Sequence, residues 1–166
     1  RSDCDPCSLN MDLADAGRRI DDLRRGGTPL DPTLEVVGMI PVHVGGAMLD
    51  MDEVGRFARD RGLWVVEDAA HAFPAAYRND KGAMRLCGDS TADVTCFSFY
   101  ANKTITTGEG GMAVTSHADI ADRIRQMSLH GLSLDAWKRY RGGGWDYRIM
   151  APDRKSTRLN SSHANI

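Results

Sequence analysis

The sequence lacks any hydrophobic run long enough to cross a bilayer, since none approaches the roughly 20 apolar residues that a membrane helix needs. The N-terminal stretch RSDCDPCSLN contains no hydrophobic signal segment. A field of one charge sign is missing too, because the 21 basic and 23 acidic residues are interspersed and leave a net charge of -2. These absences argue against a membrane protein and against nucleic acid as a partner, and they predict a cytoplasmic protein.

The sequence also lacks the second half of a cysteine-based site. Cys4 and Cys7 have the C-x-x-C spacing of a redox pair or of half a zinc site. However, Cys87 and Cys96 lie too far apart in the chain to form the other half, and no H-x(3–5)-H motif is present. We therefore expect no metal site and interpret the four cysteines as buried or incidental thiols.

The composition and patterning are those of one globular domain. Hydrophobic residues make up 42% of the chain and charged residues 27%, which allows a core and argues against disorder of the whole. Apolar strand-like runs alternate with amphipathic helical segments, which predicts an α/β fold with a mostly parallel sheet and flanking helices. The predicted strands cover residues 36–42, 63–68, 93–100 and 111–115, and the predicted helices cover residues 12–25, 50–62 and about 117–129.

Several residues predict where these helices begin and end. Asp50 is a candidate N-cap for the second helix, and Gly62 is placed to end it. The pair Gly26 and Gly27 predicts the end of the first helix. Ser116 is a candidate cap for the third helix.

Two polar residues follow predicted strands. Asp68 ends the strand 63–68, and the carboxyl ends of parallel strands form the edge at which open α/β sheets bind ligands. Lys103 lies in a glycine-rich loop between the strands 93–100 and 111–115. A lysine after a strand is commonly a solvated surface charge, but one enclosed by a strand and a flexible loop can serve as a reactive amine.

The chemistry of pyridoxal 5'-phosphate gives such a lysine a function. A reactive Lys103 amine needs a carbonyl partner, which the cofactor supplies by forming a Schiff base. Asp68 is placed to hold the proton on the cofactor's ring nitrogen. The Ser98 hydroxyl is a candidate donor to the phosphate, and His71 is a candidate donor to the phenolic oxygen.

Each of these residues also has a structural interpretation. Lys103 can be a surface charge, and Asp68 can be a turn or cap residue. Ser98 can bond to a neighbouring backbone group, and His71 can be a histidine with ordinary hydrogen-bond partners. Taken one at a time, the residues leave both interpretations open.

The order of the motifs along the chain indicates a family. The segments 41-PVHVGG-46, 66-VEDAAHAFPAAY-77 and 96-CFSFYANKTITTGEGGMAVT-115 resemble, nearly residue for residue, the DegT/DnrJ/StrS family of pyridoxal-phosphate-dependent sugar aminotransferases. The resemblance begins at about Asp3 and ends at about Pro152. It implies that residues 1–152 are part of the large, cofactor-binding domain of the fold type I aminotransferase fold.

The resemblance also implies roles for the site residues. In this family the lysine of S-F-x-x-x-K binds the cofactor covalently, and the aspartate of E-D-A-A-H/Q pairs with its pyridine nitrogen. The histidine or glutamine three residues later contacts the phenolic oxygen, and the serine of S-F contacts the phosphate. Carried over to this sequence, these residues are Lys103, Asp68, His71 and Ser98.

The implied activity is transamination of a nucleotide-linked keto-deoxysugar, with glutamate as amino donor, by a homodimer. Family members are well over twice as long as this chain, so we interpret the chain as an internal fragment that is inactive alone. Residues 153–166 are polar and lack periodicity, which predicts an unstructured and non-native tail. The alternative is a non-catalytic α/β module that binds phosphate or a nucleotide, in which Lys103 only contacts a phosphate.

Overall fold

The computed structural model describes residues 2–26, 33–89 and 91–128. A first compact unit ends at Ser116, and a second, to which the last helix belongs, begins at His117. In chain order, the elements within the described residues are α1 (Leu13–Arg24), β1 (Gly38–Met39), a 3₁₀ turn (Val44–Gly46), α2 (Met51–Arg61), β2 (Trp64–Asp68), β3 (Ala76–Arg78), β4 (Met84–Leu86), β5 (Val94–Ser98), β6 (Gly111–Val114) and α3 (Ala118–Ser128).

Four of these strands form one sheet in the order β1-β2-β5-β6. The pairs β1–β2 and β2–β5 are parallel, and β6 runs antiparallel to β5. The predicted α/β fold with a mostly parallel sheet is therefore confirmed. Because β2 and β5 are parallel neighbours, the segments that follow Asp68 and Ser98 leave the sheet at the same edge.

The first strand is shorter than predicted. Only Gly38–Met39 of the predicted range 36–42 forms a ladder with β2. Pro41 has no N–H to donate, which interrupts the ladder. Its carbonyl still accepts the Asp68 N–H at 2.9 Å, and the His43 N–H donates to the Asp68 carbonyl at 3.1 Å. The chain therefore stays beside β2 as far as His43.

Side-chain caps define the boundaries of the first two helices. Asp12 is the N-cap of α1. Asp50 caps α2 as predicted, and its Oδ1 accepts the N–H groups of Asp52 at 2.9 Å and Glu53 at 3.2 Å. Gly62 ends α2 in the left-handed region with φ of 69°, which glycine adopts without steric cost. The predicted boundaries of α2 are confirmed.

The sequence does not predict the hairpin of β3 and β4. Each strand has three residues, too few for a reliable alternation pattern. The buried Asn79 closes the turn, because its Oδ1 accepts the Ala83 N–H at 2.8 Å. Its Nδ2 also donates to Asp52 Oδ2 at 2.6 Å, which joins the hairpin to the first turn of α2.

The main core lies between the sheet and the helices α1 and α2. Its buried residues are Ile20, Met39, Met51, Val54, Ala58, Leu63, Val65 and Tyr77. A smaller cluster of Ala69, Ala72 and Phe97 lies where β2 and β5 end. This smaller cluster packs under the two segments that carry the predicted site residues.

Other predictions concern the ends of the chain and the cysteines. The third helix begins at Ala118, one residue later than predicted. The predicted tail, 153–166, lies outside the described residues. All four cysteines are free thiols, and Cys4 and Cys7 are exposed rather than buried. Within the part of the chain that the structure describes, no helix is long and apolar enough to cross a membrane.

Candidate active site

Lys103 and His71 meet at the edge of the sheet. The Lys103 Nζ atom lies 3.0 Å from His71 Nε2, which is hydrogen-bond distance. A lysine ammonium can only donate, so when Lys103 is charged the imidazole Nε2 accepts and the ring proton lies on Nδ1. Two residues from separate sequence motifs therefore form one polar pair.

The loop after β5 holds Lys103. The Lys103 N–H donates to the Tyr100 carbonyl at 3.0 Å, which closes a turn. The Phe99 carbonyl accepts the Thr107 N–H at 3.0 Å and the Thr106 hydroxyl at 3.1 Å. These bonds fold the loop back on its own start and leave the Lys103 side chain half-buried.

The turn after β2 holds His71. The Asp68 Oδ1 atom accepts the Ala70 N–H at 3.1 Å, a common turn-forming contact of aspartate. The Ala69 N–H donates to the Cys96 carbonyl at 2.9 Å, so the turn begins in register with β5. Ala69 is only 1% exposed, whereas the His71 side chain is exposed. The buried alanine anchors the turn while the imidazole stays accessible.

A small cavity of about 90 Å³ lies beside this pair. Lys103, His71 and Ser98 all line it. The cavity walls also include Phe73 and Asn102, which the sequence did not single out. Nothing in the local sequence pattern distinguishes these two residues. They line the cavity only because the turn after β2 and the loop after β5 come together there.

Asp68 lies at the end of β2 and is not among the cavity-lining residues that the structure describes. It pairs in register with Cys96 of β5, and alternation along β5 places Ser98 on the same face. Burial raises the pKa of the Cys96 thiol, and the nearby Asp68 carboxylate raises it further. The structure thus brings three of the four predicted residues to one cavity. The fourth, Asp68, lies on the same face of the sheet as Ser98.

A second polar cluster lies on the opposite face of the sheet. Glu67, adjacent to Asp68 in sequence, is fully buried there together with His43. Glu67 Oε1 lies 2.8 Å from His43 Nε2 and accepts from the Cys87 thiol at 3.8 Å, while Oε2 accepts from the Thr95 hydroxyl at 2.5 Å. Sequence reasoning assigned no role to His43, although an acidic residue on the core side of an apolar strand signals buried partners.

The thiol of this cluster is a hydrogen-bond donor. Burial raises the pKa of Cys87 to about 12, and the charge of the Glu67 carboxylate contributes to the shift. Cys87 therefore stays protonated at neutral pH and donates to Glu67.

The cluster also has residue types that can bind a metal ion. The candidate ligand atoms of His43, Glu67 and Cys87 all lie within 4.8 Å of one another. The geometry favours hydrogen bonds instead. His43 Nε2 and Glu67 Oε1 are 2.8 Å apart, whereas two nitrogen or oxygen ligands of a tetrahedral zinc lie about 3.3 Å apart. The other ring nitrogen, Nδ1, accepts the Leu49 N–H at 3.2 Å. We interpret the cluster as a hydrogen-bonded core network.

Residues 2–153 match the DegT/DnrJ/EryC1/StrS aminotransferase family. The chain belongs to this family. The match includes all the segments in which the sequence motifs indicated the resemblance, so that prediction is confirmed.

Relatives of known name agree with this assignment. The spore coat polysaccharide biosynthesis protein SpsC of Bacillus subtilis is 47% identical over 118 residues, which cover 70% of this chain and 29% of SpsC. A DegT DnrJ EryC1 StrS aminotransferase from Brucella abortus superimposes with a TM-score of 0.66 at 30% identity, covering 78% of this chain and 32% of that protein.

A further solved structure is a putative sugar aminotransferase, Spr1654, from Streptococcus pneumoniae in its PMP form. It superimposes with a TM-score of 0.65 at 27% identity, and the match covers 91% of this chain and 39% of that protein. These structures confirm that the chain forms part of the large domain of the fold type I aminotransferase fold. The chain spans well under half the length of each relative.

Proposed function

We propose that this chain is the central part of the large domain of a pyridoxal-phosphate-dependent sugar aminotransferase. Residues 1–152 would contribute cofactor-binding residues, and residues 153–166 would be a non-native tail. Membership of the aminotransferase family and the polysaccharide-biosynthesis relative support this proposal. The observation that carries it is the contact between Lys103 and His71 beside a cavity that Ser98 also lines.

The arrangement fits the substituents of pyridoxal phosphate. The cofactor carries its aldehyde and its phenolic oxygen on adjacent ring carbons, its phosphate arm on the other side of the aldehyde, and its ring nitrogen opposite the aldehyde. Lys103 and His71, assigned to the two adjacent substituents, are neighbours at 3.0 Å. Ser98 lines the same cavity, whereas Asp68, assigned to the opposite end of the ring, does not.

Each residue has a separate task in the proposed enzyme. When bound, the cofactor supplies an electron sink for transamination. Lys103 Nζ would hold it covalently and, as a free amine, would move the proton at the reacting substrate carbon. Asp68 would hold the proton on the ring nitrogen through a charge-assisted hydrogen bond. His71 would orient Nζ and donate to the phenolic oxygen, and the Ser98 hydroxyl would donate to the phosphate.

The proposed substrates are those that the family resemblance implies, a nucleotide-linked keto-deoxysugar as acceptor and glutamate as donor. The proposed intact enzyme is a cytoplasmic homodimer. The present chain covers only 29% of SpsC. We therefore expect it to be inactive without the remainder of the domain.

Reductive trapping tests the function in the intact protein. We expect a visible absorption band after addition of pyridoxal phosphate, and borohydride reduction followed by peptide mapping should place the label on Lys103. Lys103→Arg should abolish the band and the label. Lys81→Arg is a matched control, because Lys81 is exposed on the turn of the β3–β4 hairpin and should keep both.

The opposite result would favour the non-catalytic module. If no lysine is labelled, or if the label falls on Lys81, the aminotransferase proposal is wrong. Binding of inorganic phosphate or of a nucleotide that depends on Lys103, with no covalent label, would then support a phosphate-binding function.

A further inference from the structure

The turn of residues 43–49, between β1 and α2, is held by buried side chains at both ends. Asn10, only 3% exposed, accepts the Val44 N–H at 2.9 Å and donates to the Ala47 carbonyl at 2.8 Å. At the far end, His43 Nδ1 accepts the Leu49 N–H at 3.2 Å. The 43–49 turn is therefore fixed to the core although much of its surface is exposed.

The bond between His43 and Glu67 joins the 43–49 turn to β2. Because Nδ1 accepts from the backbone, the neutral imidazole carries its proton on Nε2 and donates it to Glu67 Oε1 at 2.8 Å. Both side chains are fully buried, so loss of the acceptor would leave a buried N–H without a partner. This bond therefore controls how firmly the turn is held against the strand that ends in Asp68.

The 43–49 turn also packs against the backbone of His71. Gly46 has a φ of 86°, and a Cβ atom built on it would lie 2.7 Å from the His71 carbonyl oxygen. A real Cβ does not tolerate such a distance from a backbone atom, so glycine allows the close approach. His71 is the residue whose imidazole contacts Lys103 Nζ. A continuous series of contacts thus leads from Glu67 through His43 and Gly46 to His71.

We propose that Glu67 and His43 are positioning residues of the active site. Their buried hydrogen bond fixes the 43–49 turn, the turn supports the backbone of His71, and His71 thereby keeps its imidazole on Lys103 Nζ. This role rests on the proposed function, since it concerns the same lysine. Displacement of a catalytic group by about 1 Å can lower a rate on the order of a hundredfold, so a support of this kind affects catalysis without contacting substrate.

Two adjacent glycines provide a matched test. Gly45 also has a positive φ, 61°, but no described residue lies within 4 Å of a Cβ built there. Gly45→Ala and Gly46→Ala therefore impose similar backbone strain, and only Gly46→Ala presses on His71. In the intact protein we expect Gly46→Ala to lower kcat by about tenfold or more, with little change in KM for the sugar. Gly45→Ala should keep kcat near that of the unmodified protein.

The same comparison has a readout that needs no cofactor. In the 166-residue chain, NMR follows the ring resonances of His71, assigned by their loss in His71→Gln. The chemical shifts of these resonances depend on the contact between the ring and Lys103 Nζ, so Gly46→Ala should change them and Gly45→Ala should not. In the intact protein, the pH dependence of the visible cofactor band should change in Gly46→Ala only.

Substitutions of Glu67 test the buried end of the series. Glu67→Ala removes the acceptor of His43, and we expect it to change the His71 ring chemical shifts as Gly46→Ala does. Glu67→Gln keeps an acceptor oxygen for the His43 N–H, so it should restore these chemical shifts and most of kcat. Thr95→Val is the control, because it removes a different donor to Glu67 and leaves the His43 bond in place.

The proposal is overturned if Gly46→Ala and Glu67→Ala lower the melting temperature but leave the His71 ring chemical shifts, the visible band and kcat equal to those of Gly45→Ala and Thr95→Val. If Glu67→Ala does not fold, the glycine pair decides, because both glycines lie in a partly exposed turn. A failure of the proposed function shows separately, as absence of a label on Lys103, and the NMR comparison then still decides whether Glu67 and His43 position His71.

Discussion

Lys103 Nζ and His71 Nε2 lie 3.0 Å apart although 32 positions separate the two residues in the chain. The contact arises because β2 and β5 are adjacent parallel strands, so that the turn after one and the loop after the other leave the sheet at the same edge. His71 belongs to the turn and Lys103 to the loop. The Lys103 amine thus contacts a side chain from the turn that follows the neighbouring strand.

Substitution of His71 should affect the rate according to whether the new side chain can hydrogen-bond. In the intact protein, we expect His71→Ala to lower kcat about tenfold, because one hydrogen bond between uncharged groups contributes about 1.5 kcal/mol or less. His71→Gln keeps a donor and an acceptor near the Nε2 position and should retain most of kcat. Steady-state kinetics at saturating donor measure the difference, and equal losses in both variants would contradict the assignment.

Substitution of Asp68 by asparagine should lower kcat more than it lowers cofactor occupancy. The amide keeps an oxygen that can accept the Ala70 N–H, so the turn that carries His71 is preserved. The amide does not hold a proton on the ring nitrogen as a carboxylate does, so kcat should fall by at least about a hundredfold. Titration of the visible band with cofactor gives the occupancy. Asp89→Asn, at an exposed position, is the control, and a parallel loss of occupancy and kcat in Asp68→Asn would argue for a purely structural Asp68.

The Cys87 thiol should make stability depend on alkaline pH. Its pKa is raised in the folded chain to about 12 from an ordinary value of 9.0, chiefly by burial. Between these two pKa values the unfolded chain has released the thiol proton and the folded chain retains it. The contribution of the thiol to the free energy of unfolding is therefore fully present below pH 9.0 and is lost as the pH rises toward 12. The urea concentration at the unfolding midpoint of the 166-residue chain should therefore be lower at about pH 10.5 than at about pH 8.

A cysteine variant isolates this contribution. Burial also raises the pKa of Tyr77 to about 12, which adds a fall of the same sign at high pH. Cys87→Ala should flatten the pH dependence relative to the unmodified chain, whereas Cys4→Ala, at an exposed position, should not. An unchanged slope in Cys87→Ala would show that the thiol does not contribute.

The N-cap of α2 should contribute measurably to stability. Asp50 accepts two backbone N–H groups of the first turn, which Asp50→Ala would leave without this partner. We expect the free energy of unfolding of the 166-residue chain to fall by about 1 kcal/mol, as for other N-cap replacements. Asp60→Ala, on the exposed surface of the same helix, should cause no such loss in the urea denaturation curve.

Local patterns predicted the parts of the fold that depend on local physics. The Asp50 cap and the Gly62 stop act within one turn of helix, and both lie where the sequence placed them. The apolar run 63–68 predicted a strand, and β2 forms there with buried residues at alternate positions. By contrast, three-residue strands carry too little pattern, so the β3–β4 hairpin was missed, and the loss of the ladder at Pro41 was not anticipated.

The roles of Lys103, Asp68, His71 and Ser98 in binding a cofactor stay predictions. The order of motifs identified these residues, because chemistry of this kind needs particular side chains at the ends of particular strands. The same order of motifs did not pair Glu67 with His43, since the two residues lie 24 positions apart and neither belongs to the predicted site.

The sequence by itself determined the family, the α/β architecture and the identity of the candidate reactive lysine, because these depend on residue types and on their order. Only the tertiary structure decided that the Lys103 amine meets the His71 imidazole, and that the glycine turn supported by Glu67 and His43 packs behind His71. Contacts of this kind depend on the pairing of strands and the packing of turns, which bring together side chains that no local pattern relates.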